Sequence, residues 1–336
     1  MTATAVTVLL GPQRFMTTAG STLCALDVEG PVATVTAGWE EREDQDSELN
    51  DVLDGRARNL RLYHRTFDVL DKDQRFAAAA IVFRDRHDEL QSFYRQRLEG
   101  ALETVYAVQR RSSAHGTAAA ALDDAIDAVR RLDDWYSSQL KGLYRHFDAQ
   151  APSEESDVIA WHRGELAEML AESAALVITG GHVGTLLRAL RLFALPIGGD
   201  LPVIAWSAGA MALTDKVVLF HDHAPQGSHE AEVYDRGLGR VPGVIALPHA
   251  RRRLRLDDRG RCAVLARRFP HHRLLLLDDG TAAVFEGSAP EGRGAPDGVT
   301  GHGEPGTARA RAAYGPLPHG VRVLTADGVV QEVVVP

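Results

Sequence analysis

Four short apolar segments in the second half of the chain constrain its fold more than any other feature. They are ALVITGG (175–181), PVIAWS (202–207), VIALPH (244–249) and RLLLLDD (273–279). Helical sequence such as GTLLRALRLFAL (184–195) lies between them, and each segment ends in small or polar residues. Strands that are apolar throughout are typical of a parallel sheet covered by helices on both faces. We therefore predict an α/β fold of three αβα layers with a mainly parallel sheet.

The first part of the chain adds further predicted strands. Val6–Leu10 and Pro31–Ala37 are rich in apolar and β-branched residues, and Leu60–Tyr63 suggests a third, shorter strand. At the other end, residues 287–317 are rich in Gly and Pro and indicate a long loop. After it, VRVLTADGVVQEVVV predicts a β-hairpin that turns at Asp327-Gly328.

The middle of the chain changes to a helical pattern. Two stripes of large apolar residues recur at three- and four-residue spacing and are separated by SSAHGT (112–117), which predicts a long helical hairpin. Its apolar face is expected to pack within the chain or to form a homodimer. Ser153 and Ser156 are candidate N-caps of the next helix. The predicted organisation is N-terminal strands (1–72), a helical insertion (73–150) and the remainder of the α/β core (151–336).

Charge is unevenly distributed, and it bears on partners and location. The formal net charge is −9, with eight acidic residues in 40–54 and nine arginines in 251–273. A net negative chain is a poor general binder of nucleic acid, and the basic stretch alternates with apolar residues like one solvated helix face.

No apolar run approaches the roughly 20 residues of a membrane span. Cys24 and Cys262 are isolated, which suits a reducing cytoplasm.

Polar residues stand at the carboxyl ends of the predicted strands, where α/β sheets form their sites. Ser207 lies in the pattern small-x-Ser-x-Gly between a strand and a helix, which is the pattern of a nucleophile elbow. His249 ends the next strand, and Asp278-Asp279 end the one after it. A serine nucleophile needs a base, and the base needs an orienting acid. The sequence therefore offers Ser, His and acid, in that order along the chain.

These segments together resemble the serine peptidases that include peptidase E (aspartyl dipeptidase) and cyanophycinase, which have the class I glutamine amidotransferase-like fold. The matching segments are ITGG (178–181), WSAGA (206–210), GLGRVPGVIALPH (237–249) and LDDGTA (277–282). The resemblance covers about residues 174–286, and the N-terminal strands loosely. The helical stretch is longer than the compact form of that family requires.

The resemblance implies a role for several individual residues. Ser207 would be the nucleophile, His249 the general base and Asp279 the orienting acid, with Asp278 as the fallback. The oxyanion hole would be the backbone N–H groups of Gly181 and Ala208. Further positions are assigned to the substrate. Arg253 and Arg255 would hold its acidic groups, His182 stands where the family has a polar Asn or Asp, and Asp258 occupies the position of a further family arginine.

The implied function is that of a serine hydrolase that needs no cofactor and cleaves a peptide or isopeptide bond in a small charged peptide. The acidic stretch after the second strand adds the hypothesis that Glu40, Glu41 or Glu43 contributes a subsite for a basic group of that peptide.

Other functions are weighed against this one. A glutamine amidotransferase would need cysteine at position 207, and GGHVG (180–184) lacks the spacing of a dinucleotide fingerprint. The loop FHDHAPQGSHEAE (220–232) is rich in His and acid but lacks a helical metal-binding pair, so no metal is expected. The remaining alternative is a non-catalytic binding module that engages a protein partner or dimerises through its helical insertion.

Overall fold

The computed structural model describes residues 6–111, 116–197, 201–220, 230–286, 310–312 and 321–333. The strands are β1 (Val6–Leu10), β2 (Val32–Val35), β3 (Ala57–Asn59), β4 (Ala175–Ile178), β5 (Val203–Trp206), β6 (Lys216–Leu219), β7 (Glu232–Arg236), β8 (Val244–Pro248), β9 (Arg273–Leu277), β10 (Ala282–Glu286), β11 (Ala310–Ala312), β12 (Val321–Leu324) and β13 (Val330–Val333). The helices are α1 (Ala19–Ala25), α2 (Ser47–Val52), α3 (Leu62–Lys72), α4 (Gln74–Gln109), α5 (Thr117–Gln150), α6 (Asp157–Ala171), α7 (Val183–Leu192), α8 (Ala208–Leu213), α9 (Ala250–Arg253) and α10 (Arg259–Arg268).

The central sheet has seven strands in the order β11-β10-β1-β5-β4-β2-β3. Strands β1, β5, β4, β2 and β3 run parallel, while β10 and β11 add an antiparallel edge. Alternate residues of β4 enter different cores, because Leu176 and Ile178 pack on one face and Ala175 and Val177 on the other. Burial on both faces explains why these strands are apolar throughout, and the mainly parallel α/β fold is confirmed.

The histidine strand belongs to a second sheet. Its order is β13-β12-β9-β8, with β8 and β9 parallel and the β12–β13 hairpin antiparallel. The predicted C-terminal hairpin is therefore confirmed, with Gly328 at φ 78° in its turn. The four apolar segments of the second half thus divide between two sheets. The carboxyl end of β5 lies in one sheet, and those of β8 and β9 lie in the other.

Helices α4 and α5 form the predicted long insertion, and its apolar face packs inside the chain. The Tyr94 and Tyr136 rings stack with centroids 4.2 Å apart between the two helices. The buried Arg268 of α10 pairs with Asp133 of α5 at 2.6 Å. The prediction that the basic stretch is one solvated helix face is wrong at Arg268, because this guanidinium is needed to neutralise a buried carboxylate. Outward-facing apolar residues remain on α4, including Ile81 and Phe93.

Several predicted boundaries differ in the structure. The third strand is Ala57–Asn59, and Leu60–Tyr63 instead runs into α3, where Leu62 begins the helix. The second strand ends at Val35, and a 3-10 turn occupies Ala37–Arg42. Ser156 is the N-cap of α6, since its hydroxyl accepts the Ile159 N–H at 3.4 Å. The break at 112–117 and the loop at 287–317 lie largely outside the described residues.

The β6–β7 hairpin was not predicted. It follows α8 and precedes the histidine strand, and the helical insertion holds it with charged contacts. Arg95 of α4 donates to both carboxylate oxygens of Glu232 at 2.6 and 2.7 Å. Tyr144 of α5 donates to Asp235 at 2.7 Å. In the part of the chain that the structure describes, no helix has the length and apolar character that crossing a membrane requires.

Candidate active site

Ser207 occupies a sharp turn between β5 and α8. Its backbone has φ 49° and ψ −118°, a region that residues other than glycine rarely adopt. The neighbouring glycines leave room for that turn. A Cβ on Gly209 would lie 2.4 Å from the Ile178 carbonyl oxygen, and one on Gly180 would lie 2.9 Å from the Ser207 Cβ. Two positions that surround Ser207 in space, Gly209 in α8 and Gly180 after β4, therefore require a residue without a side chain, as in a nucleophile elbow.

His249 follows β8 and approaches Ser207 from the second sheet. It has a left-handed backbone, with φ 57°, and its N–H donates to the Leu277 carbonyl at 2.8 Å. The Nε2 atom lies 3.5 Å from Ser207 Oγ, at the outer limit of hydrogen bonding. Such contacts are often long before substrate binds. The structure therefore brings together the two residues that the sequence assigned as nucleophile and base.

The environment of His249 favours its neutral form. Burial lowers the pKa of the imidazole, and the nearby positive charge of Arg253 lowers it further. Asp279 and Asp278 oppose these effects, with Arg252 adding to the lowering. A neutral imidazole can accept a proton at Nε2, which is the state that a general base requires.

Neither of the two candidate acids is hydrogen-bonded to His249 within the described residues. Asp278 is buried and fully engaged, since it accepts the Arg251 N–H at 2.8 Å and pairs with Arg322. Asp279 Oδ2 accepts from Arg252 at 2.8 Å, whereas its Oδ1 is buried and has no hydrogen-bond partner. Of the two acids, Asp279 is therefore the one with a carboxylate oxygen that has no hydrogen-bond partner.

The glycine pair after β4 makes a close backbone crossing beside Ser207. Gly181 has φ +112°, and a Cβ there would lie 2.1 Å from the Gly38 carbonyl oxygen. The same oxygen accepts the His182 N–H at 2.6 Å. Within the described residues, the N–H groups of Gly181 and Ala208 have no hydrogen-bond acceptor. Two backbone donors next to a nucleophile are what an oxyanion hole requires.

The two arginines predicted to hold the substrate lie in different surroundings. Arg253 is half-buried, and within the described part of the chain no carboxylate lies within ion-pairing distance of it. Burial lowers the pKa of its guanidinium. Arg255 is exposed and lies 3.7 Å from the Asp258 carboxylate. Asp258 itself caps α10 by accepting the Arg261 N–H at 2.9 Å.

Glu40 is held next to the glycine pair in a strained conformation. Its backbone has φ 58° and ψ −126°, similar to Ser207. Thr185 donates to Glu40 Oε1 at 2.8 Å, and His182 Nδ1 lies 3.6 Å from the same oxygen. His182 is the N-cap of α7, because its Nδ1 accepts the Thr185 N–H at 3.1 Å.

The other two acids of the proposed subsite have different surroundings. Glu43 is fully buried and caps α3 by accepting the N–H groups of Tyr63 and His64, each at 2.9 Å. Glu41 is exposed and accepts from the Tyr63 hydroxyl at 3.0 Å. Of the three carboxylates, Glu40 alone contacts the segment that follows Gly181.

Within the described residues, no group of three or more His, Cys, Asp or Glu side chains is arranged to hold a metal ion. Most of the His- and acid-rich loop, residues 221–229, lies outside those residues. Glu230, at its end, pairs with Arg261 at 3.0 Å.

Sequence reasoning missed Gly38, Arg252 and Arg322. Gly38 contacts the backbone of Gly181, Arg252 binds Asp279 and Arg322 binds Asp278. Nothing in their local sequence marked them.

Comparison with solved structures adds a similarity in structure. No protein-family model and no curated protein sequence matches the chain. A crystal structure of a peptidase from an acI-B1 Actinobacterium matches with 11% sequence identity and a TM-score of 0.46, over 96% of this chain and 91% of the other. Because this similarity is too low to assign a reaction, the chemistry of the site rests on its own geometry.

Proposed function

We propose that the protein is a serine hydrolase, similar to peptidase E and cyanophycinase, that cleaves a peptide or isopeptide bond in a small charged peptide. One observation carries the proposal. Ser207 has the strained backbone of a nucleophile elbow, and its Oγ lies 3.5 Å from Nε2 of a half-buried histidine that comes from a different sheet. Strain at a non-glycine residue persists where the surrounding structure imposes it, and it concentrates at functional sites.

The reaction follows from these positions. Ser207 Oγ attacks the carbonyl carbon of the scissile bond while His249 Nε2 takes the hydroxyl proton. The N–H groups of Gly181 and Ala208 stabilise the oxyanion of the tetrahedral intermediate. Collapse breaks the C–N bond, His249 gives its proton to the leaving nitrogen, and an acyl-enzyme remains on Ser207. Water then attacks that ester with His249 again acting as base, which releases the acid and restores the hydroxyl.

Asp279 is the orienting acid in this scheme. Its Oδ1 is buried and lacks a donor, and leaving such an oxygen unpaired costs free energy. The Nδ1–H of His249 is the donor that would satisfy it once the site tightens around a substrate. Both oxygens of Asp278, by contrast, already accept a hydrogen bond, one from the Arg251 N–H and one from the Arg322 guanidinium.

Charges on both sides of the catalytic pair favour a substrate with both signs. Arg253 is half-buried without an ion-pair partner among the described residues, so a substrate carboxylate would neutralise it. Arg255, which lies near Asp258, would add a second positive charge. Glu40 and His182 lie beyond the glycine pair and would receive an amino or other basic group. A small peptide with an aspartyl carboxylate in addition to a free amino group fits this distribution.

A dipeptide panel tests the proposal. We expect release of free amine from Asp-X or β-aspartyl-Arg peptides and little release from dipeptides with uncharged side chains, because only the former carry a second carboxylate, on the aspartyl residue, for Arg253. Ser207→Ala is expected to abolish the activity, while Ser21→Ala, a serine on α1 outside the site, retains it. Hydrolysis that survives in Ser207→Ala would contradict the proposal. A folded protein that binds such peptides without cleaving them would favour a binding module.

A further inference from the structure

Arg252 lies three residues after the proposed catalytic histidine and contacts the proposed acid. Its guanidinium donates to Asp279 Oδ2 at 2.8 Å. The same guanidinium lies over the ring of Phe15, 4.8 Å from the centroid. A cation held against an aromatic face keeps less freedom than an ordinary surface arginine, so this ion pair has a defined geometry although Arg252 is half exposed.

Phe15 belongs to the loop that follows β1, residues 11–18, and this loop is anchored. The Gln13 side chain accepts the N–H groups of Thr18 and Ala19 at 2.7 and 3.0 Å, and it donates to the Gly11 carbonyl at 2.9 Å. Phe15 is nevertheless 67% exposed, which is unusual for a large apolar side chain with only a packing role. Its contacts with Arg14 and Arg252 account for this position.

The loop also contacts the turn that carries Asp279. A Cβ on Gly280 would lie 2.6 Å from the Met16 sulfur, so Met16 covers the residue after the acid. Phe15 and Met16 therefore contact two neighbours of Asp279: Phe15 contacts Arg252, and Met16 contacts Gly280. The loop after β1 and the helix α9 therefore both lie next to the turn that carries Asp279.

The two oxygens of Asp279 have different surroundings. Oδ2 is bound by Arg252, and Oδ1 is buried without a donor. We propose that Arg252, held by Phe15, is a positioning residue for the catalytic pair: by binding Oδ2 it orients Asp279 so that Oδ1 is available to the Nδ1–H of His249. This inference rests on the proposed serine hydrolase function. It assigns a role to Arg252 that differs from that of Arg253, which has no acid partner among the described residues.

Charge alone does not explain the arrangement. The charged groups that act on His249 are Arg252 and Arg253 on α9 and Asp278 and Asp279 after β9. Removing Arg252 takes away one positive charge, and it also frees the Asp279 carboxylate to rotate. The first effect does not depend on Asp279, whereas the second does. An experiment that compares Arg252 variants with and without Asp279 separates the two.

The rate at which a fluorophosphonate probe labels Ser207 is the direct readout, because the probe needs the nucleophile and base but presents no carboxylate. We expect Arg252→Gln to lower the second-order labelling rate about tenfold, as expected for losing a charge-assisted hydrogen bond, and Arg252→Lys to restore part of it. Arg84→Gln, which removes the same charge from an exposed ion pair on α4, should label at the wild-type rate. In an Asp279→Asn background, Arg252→Gln should cause no further loss.

Two results would overturn the inference. One is that Arg252→Gln labels at the same rate as the wild-type protein but has a raised KM for acidic peptides, which would make Arg252 a substrate-binding residue. The other is an equal loss in both backgrounds, which would leave only a direct charge effect. If the wild-type protein is not labelled at all, the proposed serine hydrolase function fails, but the positioning role of Arg252 can still be tested. The pKa of His249, measured by NMR, is then the readout. A shift on Arg252→Gln that differs between the two backgrounds supports positioning, and identical shifts overturn it.

Discussion

Replacing Gly181 with alanine tests whether the glycine pair forms the oxyanion hole. At φ +112° any L residue is strained, which costs about 1–3 kcal/mol of folding free energy. The added Cβ would also lie 2.1 Å from the Gly38 carbonyl oxygen, so the two loops must separate. That movement displaces the Gly181 N–H from the position next to Ser207. Loss of one oxyanion donor costs about 100- to 1000-fold in rate.

Gly55→Ala is the matched control for this change. Gly55 also has a positive φ, of 73°, but a Cβ there meets no atom within 4 Å. We expect it to lower the free energy of unfolding by about 1 kcal/mol and to leave labelling of Ser207 by fluorophosphonate unchanged. Urea unfolding and labelling rates should be measured on both variants. A folded Gly181→Ala protein that labels at the wild-type rate would refute the proposed oxyanion hole.

Three further predictions concern charge. Arg253→Gln should raise KM for acidic dipeptides about 10- to 100-fold in steady-state kinetics and should leave the fluorophosphonate labelling rate unchanged at a pH where His249 is neutral in both proteins; an unchanged KM removes Arg253 from the substrate site. Because the pKa of His249 is lowered, the labelling rate should stay constant as the pH falls and should decrease only below the ordinary imidazole value of 6.5. Arg253→Gln removes one cause of the lowered pKa, so the decrease should then begin at a higher pH. Asp133→Asn leaves Arg268 buried without its counter-charge and should destabilise the protein by about 3–5 kcal/mol in urea unfolding, whereas exposed Asp134→Asn should change stability little.

The parallel part of the fold was predictable because its strands are buried on both faces. Such strands must be apolar at every buried position, and this pattern is visible in the sequence of β4, β5, β8 and β9, the last of which is apolar after its exposed first residue, Arg273. Their division into two sheets was not predictable, since pairing partners depend on contacts between distant segments. The third strand was predicted at the wrong residues, Leu60–Tyr63 instead of Ala57–Asn59, for a local reason. Leu60 and Leu62 are buried in the core whether they extend a strand or begin a helix, so their apolar character did not distinguish the two.

Ser207 and His249 were found as candidates because each stands at the end of an apolar strand, although the two strands lie in different sheets. The surroundings of the acids were not predictable. Asp278 and Asp279 are adjacent and chemically identical, and only the structure shows that Arg322 of β12 binds the first and Arg252 the second. The acidic stretch shows the same limit. Glu40 and Glu43 are three residues apart, yet one contacts Thr185 near the glycine pair and the other caps a helix in the core.

The site of phosphonylation is the measurement that tests the central claim most directly. Native protein is treated with a fluorophosphonate, and peptide mapping by mass spectrometry identifies the modified residue. A nucleophile that depends on His249 predicts a single adduct on Ser207, absent from Ser207→Ala and formed much more slowly in His249→Ala. An adduct on another serine, or labelling of Ser207 at the same rate without His249, would contradict the serine hydrolase proposed from this geometry.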